Sequence, residues 1–162
     1  MALSDLMVVG STHQSVNNNV KKPYVAHLDI DFADALAAKG SALVATDVIP
    51  AIYLPAGTVV LDAGIKLIEP ANSTTLTVDL GHSAGNPDDF VDGFDAQGSA
   101  AGSYAARDAA AAIVGASNAA ASMDVTLATL TGTLSSGVIR VWALIVDVDS
   151  IPETPGIVQV GS

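Results

Sequence analysis

Four aspartates within eight residues are the sharpest candidate in this chain for a group that could bind a metal ion. They are Asp88, Asp89, Asp92 and Asp95. Hard cations such as calcium take several carboxylate oxygens from a tight loop, but the spacing here is not that of an EF-hand. A solvated acidic loop in an acidic protein is the simpler interpretation. We therefore predict no bound metal, and the four aspartates are only weak candidate ligands for calcium.

Other chemistry-bearing residues form no recognisable catalytic group. His13, His27 and His82 lie far apart in the sequence, and no spacing around them fits metal ligation or catalysis. A glycosidase needs two carboxyl groups in a cleft lined by aromatic side chains, and the chain has one Trp, three Tyr and three Phe. Residues 81–85 and 93–102 are glycine-rich but contain no phosphate-binding fingerprint. The sequence predicts no catalytic residue and no cofactor, so we expect that the protein is not an enzyme.

Length and composition indicate a single domain with an aliphatic core. The chain has 162 residues, of which 50% are hydrophobic but only 4% aromatic. A chain of this length can bury roughly 70% of the surface that it exposes when unfolded. Its core must therefore consist mainly of Val, Ile, Leu and Ala, which suit the thin packing between two sheets.

Net charge argues against two classes of partner. There are 17 acidic and 6 basic residues, which give a formal charge of −11. Such a surface repels phosphate backbones and anionic headgroups, so we predict no nucleic-acid and no membrane partner. We see neither a basic signal-peptide start nor the roughly 18 apolar residues that would span a bilayer. The chain has no cysteine, so neither disulfides nor thiolate metal sites stabilise it.

Alternating apolar and polar residues predict β-strands in most of the chain. Over residues 24–32 the apolar face is Tyr24, Ala26, Leu28, Ile30 and Phe32, while His27 and two aspartates lie on the other face. A period of two residues is typical of a strand between a core and solvent. Further strands are predicted over residues 43–54, 58–69, 74–80, 123–131 and 138–148.

Individual residues refine these predictions. Pro50 removes a ladder donor and therefore predicts a sheet edge or a bulge. In residues 58–69 the apolar face is Val59, Leu61, Ala63, Ile65 and Leu67, with a bend at Gly64, and this strand is expected to form a hairpin with residues 74–80. The last strand is apolar on both faces, which predicts a central strand covered on both sides and Trp142 in the core.

The remaining segments have weaker patterns. Residues 34–41 predict a helical turn or a loop ending at Gly40. Residues 81–122 are rich in Gly, Ala, Asp and Ser, and only residues 105–112 could form a helical turn. We predict an N-terminal arm over residues 1–23, a sandwich domain over 24–149 and a C-terminal arm over 150–162. Together, the strands and turns predict an all-β fold, an antiparallel β-sandwich of the jelly-roll type.

Five runs within the predicted domain carry a resemblance to a known family. They are residues 54–60 (LPAGTVV), 63–65 (AGI), 76–81 (LTVDLG), 88–93 (DDFVDG) and 137–143 (GVIRVWA). In these runs the chain resembles small virion structural proteins of tailed phages, most closely capsid decoration (cement) proteins. The resemblance implies a β-sandwich that binds as a homotrimer to the outer face of the capsid, with the major capsid protein as its partner. It implies no catalytic residues.

Two other functions remain open. The chain could be a carbohydrate- or receptor-binding β-sandwich module of a phage tail or fibre, with Phe90, Phe94 and Tyr104 as exposed aromatic contacts. It could also be an assembly spacer that acts only through its partner.

Overall fold

The alternating segments form eight β-strands in the structure, a computed structural model that describes residues 23–107 and 120–147. The strands are β1 (Tyr24–Asp31), β2 (Val48–Leu54), β3 (Thr58–Glu69), β4 (Thr75–His82), β5 (Val91–Asp95), β6 (Tyr104–Ala106), β7 (Ala121–Thr131) and β8 (Val138–Asp147). A helix, α1 (Phe32–Lys39), joins β1 to β2. In the part of the chain that the structure describes, no helix is long and apolar enough to cross a membrane.

The strands form two four-stranded sheets in which all neighbouring strands are antiparallel. One sheet has the order β1-β8-β3-β6 and the other the order β2-β7-β4-β5. The first strand thus pairs with the eighth, the second with the seventh, the third with the sixth and the fourth with the fifth. The inner faces of both sheets contribute to one aliphatic core. The predicted all-β antiparallel sandwich is confirmed.

Helix α1 starts directly after β1 because Asp31 caps it. The Asp31 carboxylate accepts a hydrogen bond from the Ala33 amide at 2.8 Å. The helix ends at Gly40, whose φ of 71° is left-handed and costs glycine little. The predicted helical turn is confirmed, but it begins earlier, since Phe32 is fully buried in the first turn of the helix rather than in the strand.

Pro50 lies both on an edge strand and at a bulge, as expected of a residue without an amide hydrogen. Strand β2 is an edge strand, and its register with β7 shifts between Pro50 and Ile52. Both a sheet edge and a bulge tolerate a residue that cannot donate a ladder hydrogen bond. The prediction for Pro50 is therefore confirmed.

The predicted hairpin between residues 58–69 and 74–80 is wrong. Strand β3 lies between β8 and β6, whereas β4 lies between β7 and β5 in the other sheet. The connection after β3 crosses between the sheets and is held there by distant residues. The Ala71 amide donates to the Ala96 carbonyl at 2.9 Å, and Asn72 Oδ1 accepts from the amides of Ser135 and Ser136 at 3.0 and 3.1 Å.

A bulge in β3 changes which residues face the core. The register with β8 shifts between Val60 and Asp62, so Val60 is fully buried while Val59 and Leu61 are half-buried. Ala63, Ile65 and Leu67 are fully buried as predicted. Gly64 lies within a regular stretch of the pairing rather than at a bend.

Strand β8 is central in its sheet, as predicted, but the described residues bury only one of its faces. Ile139, Val141, Ala143 and Ile145 are buried, and the residues between them are half-buried. Trp142 belongs to this second set, so its predicted place in the core is wrong. Apart from Arg140 and its last residue, β8 is apolar on both faces, and this pattern does not show which face the described residues bury.

The predicted irregular region contains two short strands, β5 and β6. Tyr104–Ala106 is extended, so the first two residues of the possible helical turn over 105–112 are strand. Residues 108–112 lie outside the described residues, as do the predicted arms apart from Pro23.

Candidate functional site

The outer face of the β2-β7-β4-β5 sheet is polar and acidic, and we call it the acidic face. Its central rows consist of threonines and aspartates: Thr75, Thr77, Asp79, Asp95, Asp124, Thr126, Thr129 and Thr131. The Thr77 and Thr129 hydroxyls are 2.7 Å apart across the strands. None of the lysines or arginines in the described ranges lies on this face, and Tyr53 is exposed at its β2 edge.

Asp79 is the most perturbed carboxyl on the acidic face. Burial raises the pKa of Asp79 above its ordinary value, and the negative charges of Asp92 and Asp88 raise it further. The Gly93 amide donates to Asp79 Oδ1 at 2.8 Å, which lowers the pKa and opposes these effects. The net shift is upward, so ionised Asp79 is electrostatically disfavoured in the folded protein.

The four candidate calcium ligands do not converge on one point. The Asp95 carboxylate accepts from the amides of Gln97 and Gly98, which closes a turn. Asp89 accepts from the Asn86 amide at 2.9 Å and lies 3.1 Å from His82 Nε2. Asp88 and Asp92 lie near Asp79. Among residues 23–107 and 120–147, no three His, Cys, Asp or Glu side chains form a group that could hold a metal ion.

The histidines are equally dispersed. His27 lies on the outer face of the β1-β8-β3-β6 sheet, paired in register with Trp142, and is exposed as predicted. His82 Nδ1 accepts from the Ala84 amide at 3.2 Å, so this ring stabilises the loop after β4. His13 lies outside the described residues.

The outer face of the β1-β8-β3-β6 sheet has a different chemistry, and we call it the tryptophan face. Three successive cross-strand rows form its centre. The first row contains Asp29, Arg140, Lys66 and Tyr104; the second His27, Trp142, Gly64 and Ala106; the third Val25, Leu144 and Asp62. Of the four described lysines and arginines, three lie on or beside this face: Lys66, Arg107 and Arg140.

Carboxylates in the centre of the tryptophan face are paired with cations. Arg140 donates through Nε and Nη2 to the two oxygens of Asp29 at 2.6 and 2.8 Å. This bidentate hydrogen bonding lowers the pKa of Asp29 and raises the pKa of Arg140. Arg107 Nε lies 3.7 Å from Asp62 Oδ1. Asp31 and Glu69 lie at one end of the face, where Asp31 caps α1.

Trp142 lies across the neighbouring strand because residue 64 is glycine. A Cβ atom at Gly64 would lie 2.9 Å from Trp142 Cζ2 and 3.0 Å from Cε2, and it would also contact the Ala105 carbonyl oxygen. The indole therefore occupies the space of the missing side chain, with its remaining surface on the outside of the sheet. Sequence reasoning missed this contact because the pairing of Gly64 with Trp142 joins distant strands.

The three aromatic residues expected at a sugar-binding surface do not lie together on the surface. Phe90 is fully buried and Phe94 is 9% exposed, and both belong to the core. Tyr104 is 74% exposed on the tryptophan face. The expectation that Phe90 and Phe94 are exposed contacts is therefore wrong. Phe94 faces the core from β5, and Phe90 is held directly before that strand by a hydrogen bond from its amide to the Leu80 carbonyl at 2.8 Å.

A shallow pocket lies between α1 and β2. It has a volume of about 320 Å³ and is lined by Ala35, Leu43, Val48 and Pro50 among others. Lys39 and Asp47 form an ion pair at its rim, and the hydrogen bond from Lys39 lowers the pKa of Asp47. Apart from this ion pair, the residues that line the pocket are apolar.

Comparison with known proteins shows where this fold occurs. No protein-family model matches the chain, and no curated protein matches it. A chain in the capsid of Ralstonia phage GP4 has the same fold, with a TM-score of 0.59, 17% sequence identity and coverage of 78% of this chain and 84% of that one. A chain in the capsid asymmetric unit of cyanophage Pam1 has a TM-score of 0.60, 16% identity and coverage of 78% and 85%.

Proposed function

We propose that this chain is a structural protein of a phage virion, a decoration or cement protein that binds the outer surface of the capsid and stabilises contacts between its subunits. The observation that carries the proposal is the shared fold over 78% of the chain with components of two phage capsids. The resemblance of residues 54–60 and 137–143 to cement proteins supports the same assignment.

The strand pairing supports a jelly-roll fold. The first strand pairs with the eighth, the second with the seventh, the third with the sixth and the fourth with the fifth. A long hairpin that rolls up into two sheets produces this nested pairing. Such closure of a sandwich leaves rigid faces for contacts with neighbours.

Charge favours the outside of the particle. Packaged DNA repels a chain of net charge −11, whereas an exposed acidic surface is compatible with solvent. A cement protein adds interface area at each junction between capsid subunits. Because it binds the assembled shell and not the free capsid subunits, its binding stabilises the assembled shell by mass action. The partner in this proposal is the major capsid protein, and three copies of the chain form the bound unit.

Particles made without this protein provide the test. The purified chain is added to DNA-filled particles that lack it, and both its binding and the temperature at which the particles release DNA are measured. We expect saturable binding, which would place the sites outside the shell, and a higher release temperature. Particles that bind nothing, or that bind the chain and release DNA at the same temperature, would contradict the proposal.

The alternative of a carbohydrate- or receptor-binding module of a tail or fibre now depends on Tyr104 and Trp142. Phe90 and Phe94 cannot contribute, since they lie in the core. A glycan array separates the two functions, because a cement protein should retain no glycan, and a tail module should retain one that is lost in Tyr104→Ala.

A further inference from the structure

The two outer faces of the sandwich differ in how well their carboxylates are compensated by nearby cations. On the tryptophan face, Asp29 forms a bidentate pair with Arg140, and Asp62 lies beside Arg107. On the acidic face, none of the described lysines or arginines lies near Asp79. Removing an unpaired carboxylate from water costs far more than removing one that remains paired. Another protein can therefore cover the tryptophan face at a much lower electrostatic cost.

The tryptophan face also presents the residues that contribute most to protein interfaces. Trp142 lies across Gly64, and Tyr104 is 74% exposed on the adjacent row. Tryptophan and tyrosine are enriched at the energetic centres of interfaces, because they bury large areas at a small cost in side-chain entropy. Lys66 lies between Arg140 and Tyr104 in its row and forms no ion pair with any described residue. Its ammonium group is available to an acidic partner.

Resting on the cement function proposed above, we infer that the chain binds the capsid shell through the tryptophan face, with the acidic face turned to solvent. The surface that fits this face presents apolar atoms to Trp142 and Tyr104 and a carboxylate to Lys66. The charges favour this orientation. Three of the four described cations lie on or beside the tryptophan face, and the reverse orientation would press against the shell aspartates that have no described lysine or arginine beside them.

Paired variants on the two faces test the orientation. Tyr104→Ser and Lys66→Glu change the tryptophan face, while Tyr53→Ser and Thr77→Glu change the acidic face. Tyr53 is 69% exposed, which makes it a close match for Tyr104. Each full-length variant is titrated onto purified shells that lack the protein, and the bound fraction is measured by sedimentation. We expect the tryptophan-face variants to weaken binding by at least about tenfold, and the acidic-face variants to bind within about twofold of the wild type.

Equal binding by all four variants, or a larger loss from Tyr53→Ser and Thr77→Glu, would overturn the orientation while leaving the cement function intact. A wild-type chain that does not bind shells at all would overturn the cement function, and the orientation with it. Light scattering of the free variants separates a third outcome. If Tyr104→Ser or Lys66→Glu lowers the mass of the free protein, the face is covered by a second copy rather than by the shell.

Trp142 gives an independent readout because it is the single tryptophan in the chain. The protein is produced with 5-hydroxytryptophan, whose fluorescence can be excited apart from tryptophans of the shell. We expect acrylamide to quench the free chain readily, and quenching to fall at least about threefold on shell binding. Unchanged quenching on bound shells, or weak quenching already in the free chain, would overturn the inference. As a control, Thr77→Trp adds a second reporter on the acidic face while Trp142 is kept, and the fluorescence of the added reporter should remain quenchable on the shell.

Discussion

Individual carboxylates of this protein differ in whether the fold favours or disfavours their charge. Asp29 is held by the guanidinium of Arg140, which lowers its pKa, whereas burial and neighbouring acids raise the pKa of Asp79. The two aspartates lie on opposite outer faces of the sandwich. Because their shifts have opposite signs, ionisation of the two groups acts in opposite directions on the free energy of unfolding.

Replacing Asp79 should stabilise the protein at neutral pH. The raised pKa means that Asp79 favours folding at low pH, and that this contribution is lost as the pH rises through its folded-state pKa. Asp79→Asn removes the charge and keeps an acceptor for the Gly93 amide, so we expect a gain of under about 1 kcal/mol at pH 7. The gain should shrink towards pH 3.8, the ordinary pKa of an aspartate. Urea unfolding at both pH values measures it.

Asp29→Asn is the matched comparison with the opposite sign. The pKa of Asp29 is lowered, so its contribution is present above the ordinary pKa and is lost as the pH falls through the folded-state pKa. We expect Asp29→Asn to destabilise the protein at neutral pH and to have little effect in strong acid. A change of the same sign in both variants at neutral pH would contradict this account of the two faces.

Gly64 should be intolerant of even one added methyl group. Gly64→Ala places a Cβ against the indole of Trp142 and the carbonyl of Ala105, and we expect a loss of about 1–3 kcal/mol in urea unfolding. Gly98→Ala is the control, since its added Cβ meets only the end of one side chain, the Asp95 carboxylate, and no backbone or ring atom. If Gly64→Ala costs no more than Gly98→Ala, Trp142 does not lie across Gly64 as described.

At the scale of elements, local chemistry was predictable from the sequence and long-range pairing was not. The edge position of Pro50 and the helix end at Gly40 follow from the backbone properties of those residues. The separation of β3 from β4 does not, because it depends on β6 and β8, which come from distant parts of the chain. Likewise, a single bulge between Val60 and Asp62 reverses the facing of Val59 and Leu61 without a local signal.

The same limit applies to the candidate site. The sequence singled out the cluster of aspartates at residues 88–95, but the carboxylate with a bidentate cation partner is Asp29, whose position beside Arg140 is decided by the register between β1 and β8. Phe90 and Phe94 lie in a stretch with no clear period and were expected on the surface. Gly93, with a φ of 66°, interrupts the alternation of β5, so that Val91 and Phe94 both face the core, and Phe90 is buried directly before the strand.

The inward position of Phe90 gives a prediction at the element scale. Phe90→Ala leaves a cavity where β5 joins the core, and we expect it to lower the free energy of unfolding by about 3–5 kcal/mol. Tyr104→Ala removes a similar ring from the surface and should change the free energy of unfolding by less than about 0.5 kcal/mol. Similar losses in the two variants, measured by urea unfolding, would show that Phe90 does not belong to the core.

For the whole molecule, the two faces explain how an acidic chain could bind a large assembly. The centre of the tryptophan face can be covered with its carboxylates still paired to cations, and in the proposed orientation the other face would give the particle an acidic exterior. Copies that bind around shared capsid junctions would also be close enough to contact one another. If the free protein already forms the proposed trimer, light scattering should give three times the chain mass of 16.2 kDa. A mass of one chain at all concentrations would restrict trimer formation to the capsid surface, and a stable dimer would contradict the trimer.

The most direct test of the central claim is the number of copies of this protein in purified virions. Quantitative mass spectrometry gives that number relative to the major capsid protein. The account predicts hundreds of copies per particle in a fixed ratio to the capsid protein, as expected of a component that occupies the equivalent sites repeated over the whole shell. A handful of copies per particle, or none, would contradict the cement function and would favour a tail component or a protein outside the virion.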